Sequence, residues 1–559
     1  MASKPWVDGL TIGEVLSHTA ERFPEKEAIV FCQPNVRMNW REVEREVDRI
    51  ALGLIELGYR HGDHFGVWAS NWPEWVLLQF ATARIGVVLV TINPSYRPAE
   101  LAYALAQSDV RGLALIEQFR SSNYDAILEE VWPGLASAQC GNLRSEQFPK
   151  LRHLIRMRGS DHQAMLSWDA FVRPEFSSKN RDTLRAAAAA AQPNDPINLQ
   201  YTSGTTGNPK GALLTHRNLL LNAYHAGQGQ RLDETDRIGI PVPLYHCFGC
   251  VLGTLCATVW GSTMVFPHEC FLAVPTLDAI ESEKCTAVYG VPTMFIAMLE
   301  QPDFATRDTS SLRTGIMAGS PCPIELMKRV TTEMGAREIT IAYGQTEASP
   351  LITMTRTDDP LEKRVGTVGQ VLPGVEAKVV DPATGELTAD GVSGELCTRG
   401  HNVMLEYYHQ PEQTAAAIDD DGWLHTGDLA VRQPDGYFRI TGRMKDTIIR
   451  GGENISPREI EELLYQHPAV EEVQVLGVPD LRFGEEVLAC IRKRSEPAVT
   501  EDEIREFCRS RLAHFKTPRH VWFMEAFPTT VTGKVQKFRL RDLAIEQFQL
   551  QDAAAVQTA

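Results

Sequence analysis

Residues 200–217 read QYTSGTTGNPKGALLTHR. Between two apolar runs stand three glycines, four closely spaced hydroxyl residues (Thr202, Ser203, Thr205 and Thr206) and Lys210. A glycine-bearing turn can wrap a phosphate chain with its backbone N–H groups, while hydroxyls add donors and a lysine adds charge. Gly204, Gly207 and Lys210 do not follow the GxxxxGK[ST] order, so the Walker type of phosphate loop is excluded. The run INLQYT before the loop predicts a strand, and ALLTHRNLLLNAYHA after it predicts a helix.

Working outward, LTIGEVLSHTAERF (10–23) has apolar residues at helical spacing, and EAIVF (27–31) and HFGVWA (64–69) are short apolar runs. WVLLQFATARIG (75–86) predicts a helix feeding the strand VVLVTI (87–92). Alternating strands and helices predict a parallel sheet covered by helices. Ala186–Ala191, followed by Gln-Pro-Asn-Asp-Pro, reads as a helix end and a linker. From Val368 to Thr441, turns rich in Gly, Pro and Asp break up a β-rich stretch, as in a small barrel or a distorted sheet. After Arg443 the pattern becomes strand, glycine turn, helix, strand, with Ser456 as N-cap, Pro457 in the first helical position and Glu459 completing a capping box. The expected fold class is α/β: a large N-terminal region of α/β subdomains with a small barrel-like β part (1–442), a hinge (443–447) and a mobile α+β C-terminal domain (448–559).

The chain of 559 residues is too long for one core. A formal net charge of -17 argues against nonspecific nucleic-acid binding. Eleven cysteines at irregular spacing fit a reducing compartment. Cys247 and Cys250 have CxxC spacing, but no second pair or matching His cluster follows, which argues against zinc there. The N-terminus has no apolar signal segment, and no apolar run reaches the roughly 20 residues needed to span a bilayer. These features predict a cytoplasmic protein without an integral membrane segment and are compatible with a homo-oligomer.

The loop has companions in order: PLYHCFG (243–249), AGSPCP (318–323), YGQTE (343–347), TGDLA (426–430), GRMKDTIIRGGENISPREIE (442–461) and TGKVQK (532–537). Together they resemble the AMP-forming acyl- and aryl-CoA synthetases, over nearly the whole chain. In detail (PLYHC, AGSPCP, IIRGGENI, HFKTP, GKVQKF) the chain is most similar to the medium-chain acyl-CoA synthetase family member 2 group.

The resemblance implies a two-step reaction with ATP, Mg²⁺ and CoA on a small-molecule carboxylic acid. Thr202 to Lys210 would hold the β- and γ-phosphates, and Thr206 and Glu347 the magnesium. Tyr343 offers a ring to adenine, Gly344 a close backbone approach, and Thr346 a contact to the α-phosphate. Gly319, Ser320 and Pro321 would line the adenine site. Asp428, supported by Arg443, would accept from the ribose hydroxyls. Lys534 would be the catalytic lysine of adenylation. Lys445 would be the hinge that swings it away and presents Gly451, Gly452, Glu453 and Asn454 to the pantetheine of CoA. His246 matches a position near the carboxylate, as gate or catalytic residue.

Amino-acid-activating relatives carry an Asp in the segment of His246 for the substrate ammonium. No carboxylate occurs here between Pro241 and Cys256, which favours an uncharged acyl tail. Cys247, Val251, Leu255, Val288, Met294 and Met317 are the candidate tail wall. The leading reading is a medium-chain fatty acid–CoA ligase. An aryl- or branched short-chain acyl-CoA ligase, an adenylation enzyme loading a separate carrier protein, and a non-catalytic nucleotide-binding regulator are the alternatives; intact Lys210, Glu347, Asp428, Arg443 and Lys534 argue against the last.

Overall fold

The computed structural model of the protein describes residues 4–554 except 142, 173–177, 203–208, 321, 452, 495 and 531–532, and not the side chains of residues 136, 178 and 454. The alternation of strand and helix becomes two large sheets. The eight-stranded sheet has the order Glu406–Tyr407, Lys210–Thr215, Pro196–Thr202, Val88–Ile92, His64–Trp68, Gly112–Ile116, His153–Arg158, Leu166–Ser167. The nine-stranded sheet runs Gln370–Val371, Leu351–Met354, Thr340–Gly344, Thr314–Ala318, Ala287–Gly290, Arg237–Gly239, Thr263–Phe266, Glu27–Phe31, Val36–Asn39. In the nine-stranded sheet, strands from Thr340–Gly344 to Glu27–Phe31 pair in parallel, with antiparallel strands at both edges.

The strands are unbroken apolar runs because both faces are covered: every residue of His64–Trp68 and Val88–Ile92 is buried. The helix Pro73–Arg84 is buried on nearly all sides, as a helix between two sheets must be. One core cluster joins residues of both sheets.

The β-rich stretch forms an open antiparallel sheet, not a closed barrel: Val375–Val380, Ser393–Gly400, Leu424–Arg432, Phe438–Arg443. A short 3₁₀ turn, Met444–Asp446, leads into a further sheet with the order Glu453–Ile455, Ile448–Arg450, Gly484–Lys493, Val470–Asp480, and His520–Phe523 pairs in parallel with Gly484–Lys493. This C-terminal unit has core clusters of its own.

Two local expectations are corrected. Lys210–Thr215 is a strand antiparallel to Pro196–Thr202, and the helix begins only at His216. The sequence places the stop itself: Thr215 and Asn218 form a reciprocal cap, each side chain bonding the other's backbone N–H, and this terminates the strand in a helix N-cap. The segment 203–209 therefore connects two paired strands, and the helix follows the second of them. The capping box of Ser456 and Glu459 is also absent. The Ser456 hydroxyl donates instead to the Thr441 carbonyl, and Glu459 pairs with Lys516 at 2.7 Å. A tie to the preceding sheet has outcompeted the local cap.

The C-terminal unit rests on the rest of the chain at several points. Thr293 Oγ1 donates to the Gly533 carbonyl at 3.3 Å. Glu300 and Glu471 face one another in a cleft lined also by Glu325, Arg329, Tyr465 and Arg494, and a hydrogen bond links the two carboxyl groups. Burial, that bond and mutual repulsion raise Glu300 from 4.5 to about 7, against the pull of Arg492 and Arg494. Burial at this contact thus favours the protonated form of Glu300. The contribution is complete below 4.5 and is lost as pH rises through about 7. Fluorescence transfer between dyes on the two units, measured across that window, is expected to fall with rising pH in the native chain and to flatten in Glu471→Gln; a flat response in the native chain would contradict the shared proton.

Candidate functional site

The site is built where the four-stranded sheet meets the edge of the nine-stranded one. Between Ser393–Gly400 and Leu424–Arg432 the register shifts, so that Cys397 faces His425 while Glu395 faces Leu429. The residues between, Thr426 to Asp428, form a bulge, a device that re-aims side chains. Asp428 is buried and held from two sides: Tyr343 donates its hydroxyl to Oδ2 at 2.7 Å, and Arg443 Nε lies 2.8 Å from Oδ1. Asp428 and Arg443 are direct cross-strand partners. The Asp428 charge raises the Arg443 guanidinium further. A carboxylate has about four acceptor positions, so two bonds leave room for two more.

Lys534 reaches this cluster from the C-terminal unit. A β-carbon built on Gly319 would lie 3.5 Å from Lys534 Cε. Burial, and then the nearby Arg443, hold the Lys534 ammonium below the ordinary lysine value. Its Nζ has no hydrogen bond or ion pair among the described residues. Two cations, Arg443 and Lys534, thus share the site with the Asp428 and Glu347 carboxylates.

His246 is neutral. Its Nδ1 accepts the Phe248 N–H at 3.1 Å, and burial together with Lys534 lowers the imidazole to about 3. The protonated ring nitrogen is then Nε2, so His246 can donate a hydrogen bond but carries no charge near neutral pH. Burial pushes the adjacent Cys247 thiol up to about 11, and its Sγ lies 3.8 Å from Thr346 Oγ1.

Glu347 is buried in a short 3₁₀ turn, and its Oε1 accepts the Tyr407 hydroxyl at 2.7 Å. Its second oxygen has no partner among the described residues, which fits a ligand of a hard divalent cation. Lys210 Nζ lies 4.7 Å from the centroid of the same Tyr407 ring. Thr202 and Lys210 are the paired strand ends between which the loop departs. Ser203, Gly204, Thr205, Thr206 and Gly207 lie outside the described residues, as do Pro321 and Gly452. Ser320 is partly buried beside Gly319.

A family model for AMP-binding enzymes matches residues 16–408, and one for the C-terminal domain of these enzymes matches 459–534. The chain belongs to the AMP-binding enzyme family. It is 48% identical over 97% of its length to the protein YngI of Bacillus subtilis (strain 168), covering 98% of that protein. It is 44% identical to the medium-chain acyl-CoA ligase ACSF2, mitochondrial, of Rattus norvegicus, over 95% of this chain and 87% of that one. Among solved structures, the anthranilate CoA ligase AuaEII in complex with anthranoyl-AMP superposes with a TM-score of 0.83 at 28% identity, covering 97% of this chain and 98% of that one. The chain is thus an adenylate-forming acid–thiol ligase by family.

Within this family frame, some sequence expectations change. The closeness at Gly344 is internal: a β-carbon there would stand 1.8 Å from the Pro350 carbonyl, so glycine is needed to close the YGQTE turn on itself. Val288 and Met317 leave the candidate tail wall. Strand alternation sends Tyr289, Ile316 and Ala318 into the cluster that holds Cys247, Val251, Leu255 and Met294, and sends Val288 and Met317 to the opposite face of the sheet. Val251 and Leu255 ride on a π-helix, Phe248–Leu255, a rare element that no periodicity in the sequence announces. Gly451 (φ +58°) and Glu453 are exposed at the tip of the Ile448–Ile455 hairpin.

Sequence reasoning also missed Tyr407 and Val291. Tyr407 ties Glu347 to Lys210, and only the pairing of Glu406–Tyr407 with Lys210–Thr215 brings it there. Val291 is the surface against which Gly533 seats: a β-carbon on Gly533 would meet Val291 Cγ2 at 2.9 Å, and φ is +81°. Gly533→Ala is expected to slow adenylate formation roughly tenfold or more, since a side chain at positive φ costs about 1–2 kcal/mol before any clash. Pyrophosphate exchange is the measurement, with unchanged circular dichroism as the control; an unaltered rate would show that this seating does not govern the step.

Proposed function

We propose that the protein activates a medium-chain fatty acid with ATP and transfers the acyl group to CoA. The observation that carries this reading is the buried Lys534, without a hydrogen-bond or ion-pair partner for its Nζ among the described residues, set beside Arg443, Asp428 and His246. A cation without a counter-ion in a dry site is stabilised by an anion that arrives there. A carboxylate meeting the α-phosphate of ATP supplies such charge. In the first step a carboxylate oxygen attacks the α-phosphorus, the bond to the bridging oxygen breaks, and pyrophosphate leaves with the electron pair. Lys534 would offset charge developing between carboxylate and phosphate, and His246 would orient the carboxylate through Nε2–H. Asp428 would accept from the ribose hydroxyls, Tyr343 and Gly319–Ser320–Pro321 would line the adenine, and Thr346 would touch the α-phosphate.

Thr202 to Lys210 would hold the outer phosphates. Glu347, with Thr206, would hold a magnesium ion, which supplies charge neutralisation to the phosphates. In the second step the CoA sulfur attacks the acyl carbon and AMP leaves. Lys534 must withdraw for this, about a hinge at Lys445, with Gly451, Gly452, Glu453 and Asn454 turning to the pantetheine. The exposure of Gly451 and Glu453 in the present arrangement supports a tip that has yet to dock.

The lack of a carboxylate between Pro241 and Cys256, the apolar residues Cys247, Val251 and Met294, and the ACSF2 relatives support a medium-length aliphatic tail. An aryl acid is the second reading, supported by the similarity to an anthranilate CoA ligase. Eleven unpaired cysteines support a reducing compartment such as the cytoplasm.

Two measurements test the proposal. Lys534→Ala is expected to slow pyrophosphate exchange by about a hundredfold or more, while thioester formation from supplied acyl-AMP stays within a few-fold; equal loss of both would refute the division of labour. A carboxylate series from acetate to palmitate, with benzoate, is scored by AMP release with and without CoA. An optimum at medium chain length that requires CoA supports the assignment, and a preference for benzoate transfers it to the aryl reading.

A further inference from the structure

A second cluster of ligating side chains lies behind the bulge that carries Asp428. Cys397 faces His425 across the strand pair, and Glu395, two residues from Cys397, projects from the same face. One ligating atom from each of Glu395, Cys397 and His425 falls within 4.8 Å of the others. They converge on one nitrogen: Glu395 Oε2 is 2.8 Å and Cys397 Sγ 3.5 Å from His425 Nδ1. The opposite ring nitrogen, Nε2, faces Asp419 Oδ2 at 3.6 Å. A carboxylate behind the far nitrogen is the arrangement that orients metal-bound imidazoles and raises their basicity. Glu395 and Cys397 are buried, while the His425 side chain is 35% exposed, which leaves a way in.

We propose that Glu395, Cys397 and His425 bind a divalent metal ion of the zinc class, with Asp419 as the orienting partner of His425 and a water completing the tetrahedron. Mixed nitrogen, sulfur and oxygen donors select zinc or cobalt over magnesium, which requires oxygen. The site is therefore chemically distinct from the one that Glu347 suits. Its consequence is local. Glu395 Oε1 already accepts the Gly427 N–H at 3.0 Å, and the Thr426 hydroxyl donates to Leu396 O at 2.6 Å. An ion held by Glu395 and His425 would clamp both ends of the bulge that aims Asp428.

Binding forms metal–sulfur, metal–nitrogen and metal–oxygen bonds; the thiol proton goes to solvent, and the single imidazole proton sits on Nε2, where Asp419 accepts it. Affinity must therefore strengthen as pH rises.

The test uses the full chain, stripped by chelator, in a Cys140→Ser background because Cys140 is exposed. Titration with Co²⁺ is expected to give one equivalent bound, with a thiolate-to-cobalt charge-transfer band that Zn²⁺ abolishes. Cys397→Ser should remove the band, and Asp419→Asn should weaken Co²⁺ affinity about 10–100-fold. His425→Gln, at a partly exposed position, serves if the buried Cys397→Ser fails to fold, and should also remove stoichiometric binding. No band in the native chain, or a band that survives loss of Cys397 or His425, overturns the proposal.

Discussion

The register shift between Ser393–Gly400 and Leu424–Arg432 is the constraint on which the site depends. It takes Asp428 out of register with Ser393–Gly400 while leaving it paired with Arg443, and Tyr343 and Arg443 hold its two oxygens. With the carboxylate fixed, Arg443 is fixed, and the electrostatic character of the cleft follows. A buried anion with one strong cationic partner tolerates a second cation nearby only if further negative charge is supplied. Lys534 is that second cation, and burial first, then Arg443, lowers its basicity.

Lys534 links the cleft to the C-terminal unit. Lys534 belongs to a unit with its own sheet and core, and it reaches the cleft on a loop whose glycine leaves no space for a β-carbon against Val291. Among the described residues, the contacts that keep the unit in place include the Ser456 and Thr293 bonds, the facing Glu300 and Glu471 carboxyl groups and the seating of Gly533 on Val291. Interfaces of this sort are easily exchanged for another arrangement. The large sheets stay rigid beneath, since their strands are buried on both faces.

Much of this was legible in the sequence because it rests on local rules. Strand–helix alternation, the Pro at the start of helices, and ordered motifs with fixed glycine and lysine spacings depend on neighbours along the chain. Local reading failed where a distant partner competed for the same group. Ser456 abandoned its cap for Thr441, and GALLT became a strand because Pro196–Thr202 lay ready to pair with it.

The sequence by itself determined the fold class, and its ordered motifs carried the resemblance to the AMP-binding enzymes. The fold class follows from the alternation of strand and helix patterns, and the resemblance from motifs matched residue by residue. Tertiary structure alone decided that Val288 and Met317 turn away from the tail wall, that Tyr407 braces Glu347, and that Glu395, Cys397 and His425 converge. The physical reason is that side-chain direction in a strand alternates with register, and register is set by pairing between segments far apart in the chain.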